Sequence, residues 1–279
     1  MTTAILPALL MLASGSIHAI VNAMVKAGPD RTSHMALMSF SSAVVVAPLI
    51  PFVPLPHGAW AWLAISMVVH LAYFQCLVRS LDSGDLSSAY PIFRGSAPLL
   101  TALIAVFWFG ETIHLHTALG ILLIAGGMLG MIAGRHVNRD TLVWSLITGV
   151  TIAIYTAVDA KAVRSAPDVF GFIIWFFFAL GLCNLGTGLV SRGRAIWPYF
   201  RANWKHGGLA GALSVLTFGM ALAALAMGDV APLAALRETG MVTALIISIL
   251  FLKEPVSLDR GVAILAITAG AVIIVAGQG

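Results

Sequence analysis

The stretch Gly84-Asp85-Leu86-Ser87-Ser88-Ala89-Tyr90-Pro91-Ile92-Phe93-Arg94-Gly95 carries an arginine into an apolar run that ends only at Phe109-Gly110-Glu111. The chain later repeats the device. Gly228-Asp229 opens an apolar run, Arg237-Glu238 interrupts it, and Phe251-Leu252-Lys253-Glu254 closes it. Arg94 and Arg237 lie 143 residues apart, as do Glu111 and Glu254. A guanidinium near the middle of a membrane helix costs about 2.5–3.5 kcal/mol on insertion scales, so it is expected to face protein or a wet cavity. Two of them at matching places in two halves predict one binding site built twice.

Composition sets the environment. The chain has 279 residues, 60% hydrophobic and 9% charged, with a mean hydropathy of +1.00. Soluble domains carry about 25% charge, so this chain lacks the polar surface to cover a soluble fold and reads as an integral membrane protein. Its apolar runs are long and unbroken, which favours helices over a barrel. The net charge of +4 comes without a basic tract, so nucleic acid is not an expected partner. Cys76 and Cys183 sit inside apolar runs without metal-ligand spacing and read as small core residues. No phosphate loop or other cofactor motif is present, so no cofactor is expected and ATP is not consumed by this chain. The first apolar segment has no early Lys or Arg and reads as a retained span rather than a signal peptide.

At roughly 20 apolar residues per helix, the spacing predicts ten spans, at 3–25, 34–53, 59–79, 86–109, 113–134, 141–163, 168–190, 205–227, 229–252 and 257–277. The longest connection, Ser191 to Lys205, holds Arg192, Arg194, Arg201 and Lys205. Internal similarity divides the ten into residues 1–138 and 139–279, five spans each, in one structural unit. Ala118-Leu119-Gly120-Ile121-Leu122 matches Gly261-Val262-Ala263-Ile264-Leu265 at the offset of 143, and Lys26-Ala27-Gly28-Pro29-Asp30 echoes Arg164-Ser165-Ala166-Pro167-Asp168 at 138. An odd number of spans per half inverts one half against the other, the plan of secondary transporters with a midplane site. The odd-numbered connections hold eleven Lys and Arg, against Lys161 and Arg164 in the even ones. The positive-inside rule then puts the odd connections in the cytoplasm and both termini outside. Gly126, Gly130 and Gly134, four apart on the fifth span, offer a close-approach face, as do Gly181, Gly186 and Gly188 on the seventh.

Ten spans in two repeats, a Gly-Asp turn into the fourth and ninth, and the closing glutamates of Phe109-Gly110-Glu111 and Leu252-Lys253-Glu254 resemble the EamA family of the drug/metabolite transporter superfamily. The resemblance covers nearly the whole chain. It implies an all-α basket of ten transmembrane helices around a central cavity, moving small metabolites by alternating access across a bacterial-type inner membrane. It also implies cytoplasmic termini, opposite to the charge bias. The fourth-span arginine is not a general family feature; it is chemically similar to the organic-phosphate and nucleotide-sugar branches.

Arg94 falls about four residues short of the centre of its span, roughly 6 Å from the midplane. Arginine offers a planar fork for carboxylate, phosphate or phosphonate oxygens. One reading makes Arg94 and Arg237 a clamp for an anionic metabolite; the other makes Arg94 and Glu238 a structural ion pair. Glu238 is then a counter-ion or a proton-coupling site. His18 and Asn22 share a face of the first span, His70 and Tyr73 are three apart on the third, Tyr90 precedes Arg94 by one turn, and Tyr155 and Asp159 are four apart on the sixth. His18, Asn22, Tyr73, Tyr90 and Tyr155 are the expected cavity lining beside the arginines. Trp60, Trp62, Trp197 and Trp204 read as interface anchors, and Glu111 and Glu254 as structural or gating residues.

The leading functional expectation is a secondary transporter of a small anionic or zwitterionic metabolite, such as an amino acid, organic acid or phosphate or phosphonate ester, driven by protons or by exchange. An exporter of aromatic or amphipathic compounds, walled by Phe107, Trp108, Trp175 and Phe176 to Phe178, is the second. An intramembrane enzyme acting on lipid would need His18, His70, His114, His116 and Asp159 to meet, and no metalloprotease or serine-hydrolase motif supports it.

Overall fold

The computed structural model describes residues 2–26, 30–252 and 258–277, with side chains described for all of these except 2–4, 22–26, 31, 86 and 247–252. All regular structure among them is helical: α1 (Thr2–Lys26), α2 (Arg31–Val46), α3 (Trp60–Asp82), α4 (Leu86–Ile104), α5 (Leu115–Gly130), α6 (Arg139–Ser165), α7 (Val169–Arg192), α8 (Ile196–Met227), α9 (Val230–Arg237), α10 (Gly240–Leu252) and α11 (Leu258–Ala276). A 3-10 turn over Ala47–Phe52 prolongs α2, and a π-turn over Ala105–Phe109 prolongs α4 up to Gly110, whose φ is +68°. Among the described residues, six stretches are long and apolar enough to cross a membrane: Thr32–Phe52, Trp60–Asp82, Ser87–Phe109, Arg139–Ser165, Val169–Met227 and Leu258–Ala276, the fifth holding both α7 and α8. The protein is an all-helical membrane protein.

The ends of the described helices fall within a few residues of the expected span ends except at two places. The basic connection before the eighth span is largely helical, since α8 begins at Ile196 rather than near Lys205. The ninth span is two helices, α9 and α10, parted at Glu238-Thr239. Local start signals account for several of the rest. Asp30 accepts from the Ser33 amide, Asn138 from the Thr141 amide and Asp168 from the Gly171 amide, each satisfying a free N–H at the head of its helix. Asp30 and Asp168, one of the echoed pairs, thus do the same work on α2 and α7.

Packing centres on α4, α6 and α9, which α1, α3 and α8 enclose. Helix α5 lies along α11 and α2 along α7, while α3 packs on α6 and α1 on α8. Hydrogen bonds and close approaches between connections sort them into two ends. Arg192 Nη2 donates to Asp30 Oδ1 at 2.9 Å, and Asn138 Nδ2 and Thr141 Oγ1 each donate to Ser83 O at 2.9 Å. These join odd connections to odd ones. Glu111 accepts from the Val230 and Ala231 amides, and Gly58 abuts Ser165 O, joining even to even.

The expected glycine face on α5 is not the one used. Gly126 and Gly130 have open space around them, and Gly134 lies past the helix end with a φ of +73°. Gly120 and Gly127 instead press on α11, where Gly120 meets Gly270 backbone to backbone. On α7, Gly181 and Gly188 abut α2, whereas Gly186 touches nothing. Trp60, Trp197 and Trp204 are exposed, as expected of interface anchors, while Trp62 packs against Trp108.

Candidate functional site

Helix α9 is buried at every residue from Val230 to Arg237, so the arginine at its end is enclosed by protein rather than lipid. After Arg237 the α-helical ladder is replaced by three-residue turns: Glu238 N bonds Ala235 O, and Met241 N bonds Glu238 O. Backbone freed in this way is tolerated in a bilayer only where protein covers it. Gly15 of α1 supplies that cover, lying against the Arg237 carbonyl and the Gly240 backbone so closely that a β-carbon at either glycine would collide. The head of α9 is held too. The Glu111 carboxylate accepts from Val230 N at 2.7 Å and Ala231 N at 3.1 Å. Arg164 Nε and Nη2 donate to Leu225 O and Gly228 O, closing the tail of α8 on the other side of the Gly228-Asp229 turn.

Arg94 reaches the break from α4. Its Nε lies 3.1 Å from Glu238 Oε2. That oxygen nevertheless has no hydrogen-bond partner, so the pair is electrostatic contact without aligned hydrogen bonding. Arg94 also sits over the Tyr90 ring at 5.6 Å. Arg237 stacks over Phe218 of α8 at 4.7 Å, and its Nε is buried with no hydrogen-bond partner. Arg237 and Glu238 line a small cavity with Thr101, Thr156, Pro98 and Met11. It has room for roughly one water molecule.

A second polar cluster lies behind Phe218. Asp159 on α6 is fully buried and accepts from Ser66 Oγ at 2.5 Å, with His70 Nε2 at 2.9 Å from its other oxygen. Ser66 and His70 are one turn apart on α3 and therefore reach the same carboxylate. The His70 ring stacks on Tyr155 at 4.4 Å, and Phe218 touches His70 at 5.7 Å and Tyr155 at 6.2 Å. Tyr73 meets Tyr155 edge-on at 5.2 Å.

The structure joins Arg94, Arg237, Tyr90, Tyr73 and Tyr155 through a chain of contacts, and His18 on α1 lies within electrostatic reach of both arginines. Asn22 lies on α1 with its side chain outside the described residues, and Glu254 lies outside them altogether. The anticipated Arg94–Glu238 pair is present. The aromatic wall is different from the expected one: Phe107 is 86% exposed and Trp108 also faces outward, while Phe176 is buried against Phe218. His114 and His116 stack on each other at the head of α5, and the five-residue catalytic constellation does not assemble. Sequence reading missed Ser66, Thr101, Thr156 and Phe218. Thr101 could have been found, being two turns beyond Arg94 on one helix face; Phe218 has no local pattern that sets it apart.

Residues 5–133 match the model of the EamA-like transporter family. The multidrug resistance protein EbrB of Bacillus subtilis (strain 168) is 39% identical over 70 residues, 25% of this chain and 60% of that protein. The uncharacterized protein y4nH of Sinorhizobium fredii (strain NBRC 101917 / NGR234) is 36% identical over 56 residues, covering 20% and 48%. EbrB of Bacillus atrophaeus is 41% identical over 59 residues, covering 21% and 50%. The matches thus span about half of each of these relatives. One solved crystal structure aligns over 98% of this chain and 96% of its own at a TM-score of 0.77 and 16% identity, a likeness of fold alone. Residues 5–133 of the chain are thus similar to the EamA-like transporter family.

Proposed function

We propose that the protein is a secondary transporter of a small anionic or zwitterionic metabolite, working by alternating access of two inverted five-helix repeats, residues 1–138 and 139–279. The observation that carries the substrate class is the unpartnered, buried Nε of Arg237 beside Glu238 on the wall of one cavity. The Nε–H there is already desolvated and lacks an acceptor, so a carboxylate or phosphate oxygen gains more from it than from water. Glu238 suits the amine of a zwitterion. An incoming anion also competes with Glu238 for Arg94, so the carboxylate is a counter-ion that the substrate displaces. The repeat assignment is supported by the exchange of α3–α6 for α8–α1 contacts and by the separation of odd from even connections. This cavity holds about one water, so a substrate enters it only as the helices around it, α1, α4, α6, α8 and α9, part.

Export of aromatic or amphipathic compounds is the second reading, favoured by the printed name of the two EbrB relatives. The unpartnered Arg237 Nε on the cavity wall favours neutral or acidic compounds within that reading. A bacterial-type inner membrane is the proposed location.

Uptake into proteoliposomes separates the readings. The expected result is counterflow of at least one radiolabelled amino acid, hydroxy acid or phosphate ester, lost in Arg237→Ala while the variant still reconstitutes. Transport confined to neutral aromatics, or Arg94→Ala and Arg237→Ala both transporting like wild type, would overturn the anion reading.

A further inference from the structure

Among the described residues, four Lys, Arg, Asp or Glu side chains are buried: Arg94, Arg237, Asp159 and Glu238. At their ordinary charges they balance, two against two. His70 is the titratable group bonded directly into that set, through the 2.9 Å contact of its Nε2 with Asp159. We propose that His70, held by Asp159, is a proton-binding site, and that its proton supplies the one positive charge that the balanced core needs to accept an anionic cargo.

The groups around His70 are few. Ser66 and Tyr73 share its helix, and Ser66 donates to the other Asp159 oxygen. Tyr155 faces it from α6, Phe176 from α7 and Phe218 from α8. The charges that reach the cluster from further elements are Arg94 on α4 and Arg237 and Glu238 at the α9 break, all of which act on Tyr155. His18 on α1 is the other histidine near the arginines, but it has the two guanidiniums for neighbours where His70 has a carboxylate. The corresponding brace between α1 and α8 is the neutral pair Ser14 and Thr217. Of these two braces between the halves, the α3–α6 one carries ionisable groups.

The two sites touch through one ring. Phe218 lies against His70 and Tyr155 on one side and under the Arg237 guanidinium on the other. Without a proton on His70, an anion beside Arg237 leaves the buried core with a net negative charge. With the proton, the anion restores neutrality. An unbalanced charge in low dielectric is costly, so the two binding events favour each other, and by reciprocity each strengthens the other equally. One proton then accompanies each singly charged anion. This coupling rests on the anion reading, whereas the proton site itself does not.

The test is nitrogen NMR of histidine-labelled, purified full-length protein, with the His70 signal assigned by its disappearance in His70→Gln. The expected result is a His70 imidazole that takes up a proton as pH is lowered across the range in which the protein stays folded. Asp159→Asn and Arg237→Gln remove charges of opposite sign, and are expected to move its midpoint in opposite directions, by about tenfold in proton affinity for Asp159→Asn. If Asp159→Asn does not fold, Ser66→Ala keeps every charge but removes one donor from the carboxylate, and should move the midpoint less. A His70 signal that stays constant across that range, or a midpoint unmoved by these substitutions, overturns the proposal. The titration is read without substrate, so its failure leaves the anion reading standing, and the loss of anion counterflow leaves the titration standing.

Discussion

Arg94 and Arg237 occupy related places, but among the described residues only Arg94 has a carboxylate within ion-pair distance. The asymmetry makes Glu238 the residue whose change is most informative. Glu238→Gln leaves the Arg94 charge buried without compensation, which is expected to cost about 3–5 kcal/mol. Arg94→Leu combined with Glu238→Leu should recover most of that loss, because the pair is removed together. Thermal unfolding of the purified variants in detergent checks both. A Glu238→Gln protein as stable as wild type would mean that another acceptor holds Arg94. The pairing was legible in the sequence as one of two alternatives, since both charges fall in deep apolar runs at related depth. The ring under Arg237 was not, because Phe218 is one of 14 phenylalanines and is chosen by how α8 crosses α9.

At the level of elements, the short helix α9 depends on groups outside itself. Glu111→Ala removes the carboxylate that receives the Val230 and Ala231 amides and should cost about 1–2 kcal/mol, a capping loss with a charged acceptor. Binding that depends on Arg237 should weaken with it, measured side by side on the same preparation. The break after Arg237 could not be read from the chain. Pro232 lies in the first turn of α9, where proline is tolerated, and no proline stands near Glu238. Glycine spacing also misled. A four-residue repeat marks a face but not the face that has a neighbour, and α11 happens to run along Gly120 and Gly127. Gly240→Ala should therefore destabilise by about 1–3 kcal/mol through collision with Gly15, while Gly126→Ala stays within about 0.5 kcal/mol of wild type. Unfolding midpoints of the two variants decide it.

The odd end of the molecule carries a pH-sensitive tie. Burial alone pushes the Asp30 carboxyl up, but hydrogen bonds from Ser33 and Arg192 outweigh it and hold the group below its ordinary value. A folded value lower than the unfolded one contributes stability above about pH 4 that is lost as pH falls through that range. Arg192 is half-exposed, so the contribution is small. Asp30→Asn should lower stability slightly at neutral pH and leave it nearly unchanged in acid, so that the acid limb of the thermal-stability profile flattens.

At the scale of the whole molecule, the charged centre sits where the broken helix α9–α10, the helix α4 and α6 meet. Apolar length made the helices readable from sequence; which helices touch, and hence which polar groups share a cavity, follows from packing that a single chain does not display. Isothermal titration of the purified protein with the best anion from the transport screen tests the central claim most directly. Binding should fall at least about tenfold in Arg237→Gln, the loss expected for one charged hydrogen bond. It should also fall in Arg94→Gln and persist in Glu238→Gln, which frees Arg94 for the ligand. Equal affinity in wild type, Arg94→Gln and Arg237→Gln would contradict the account.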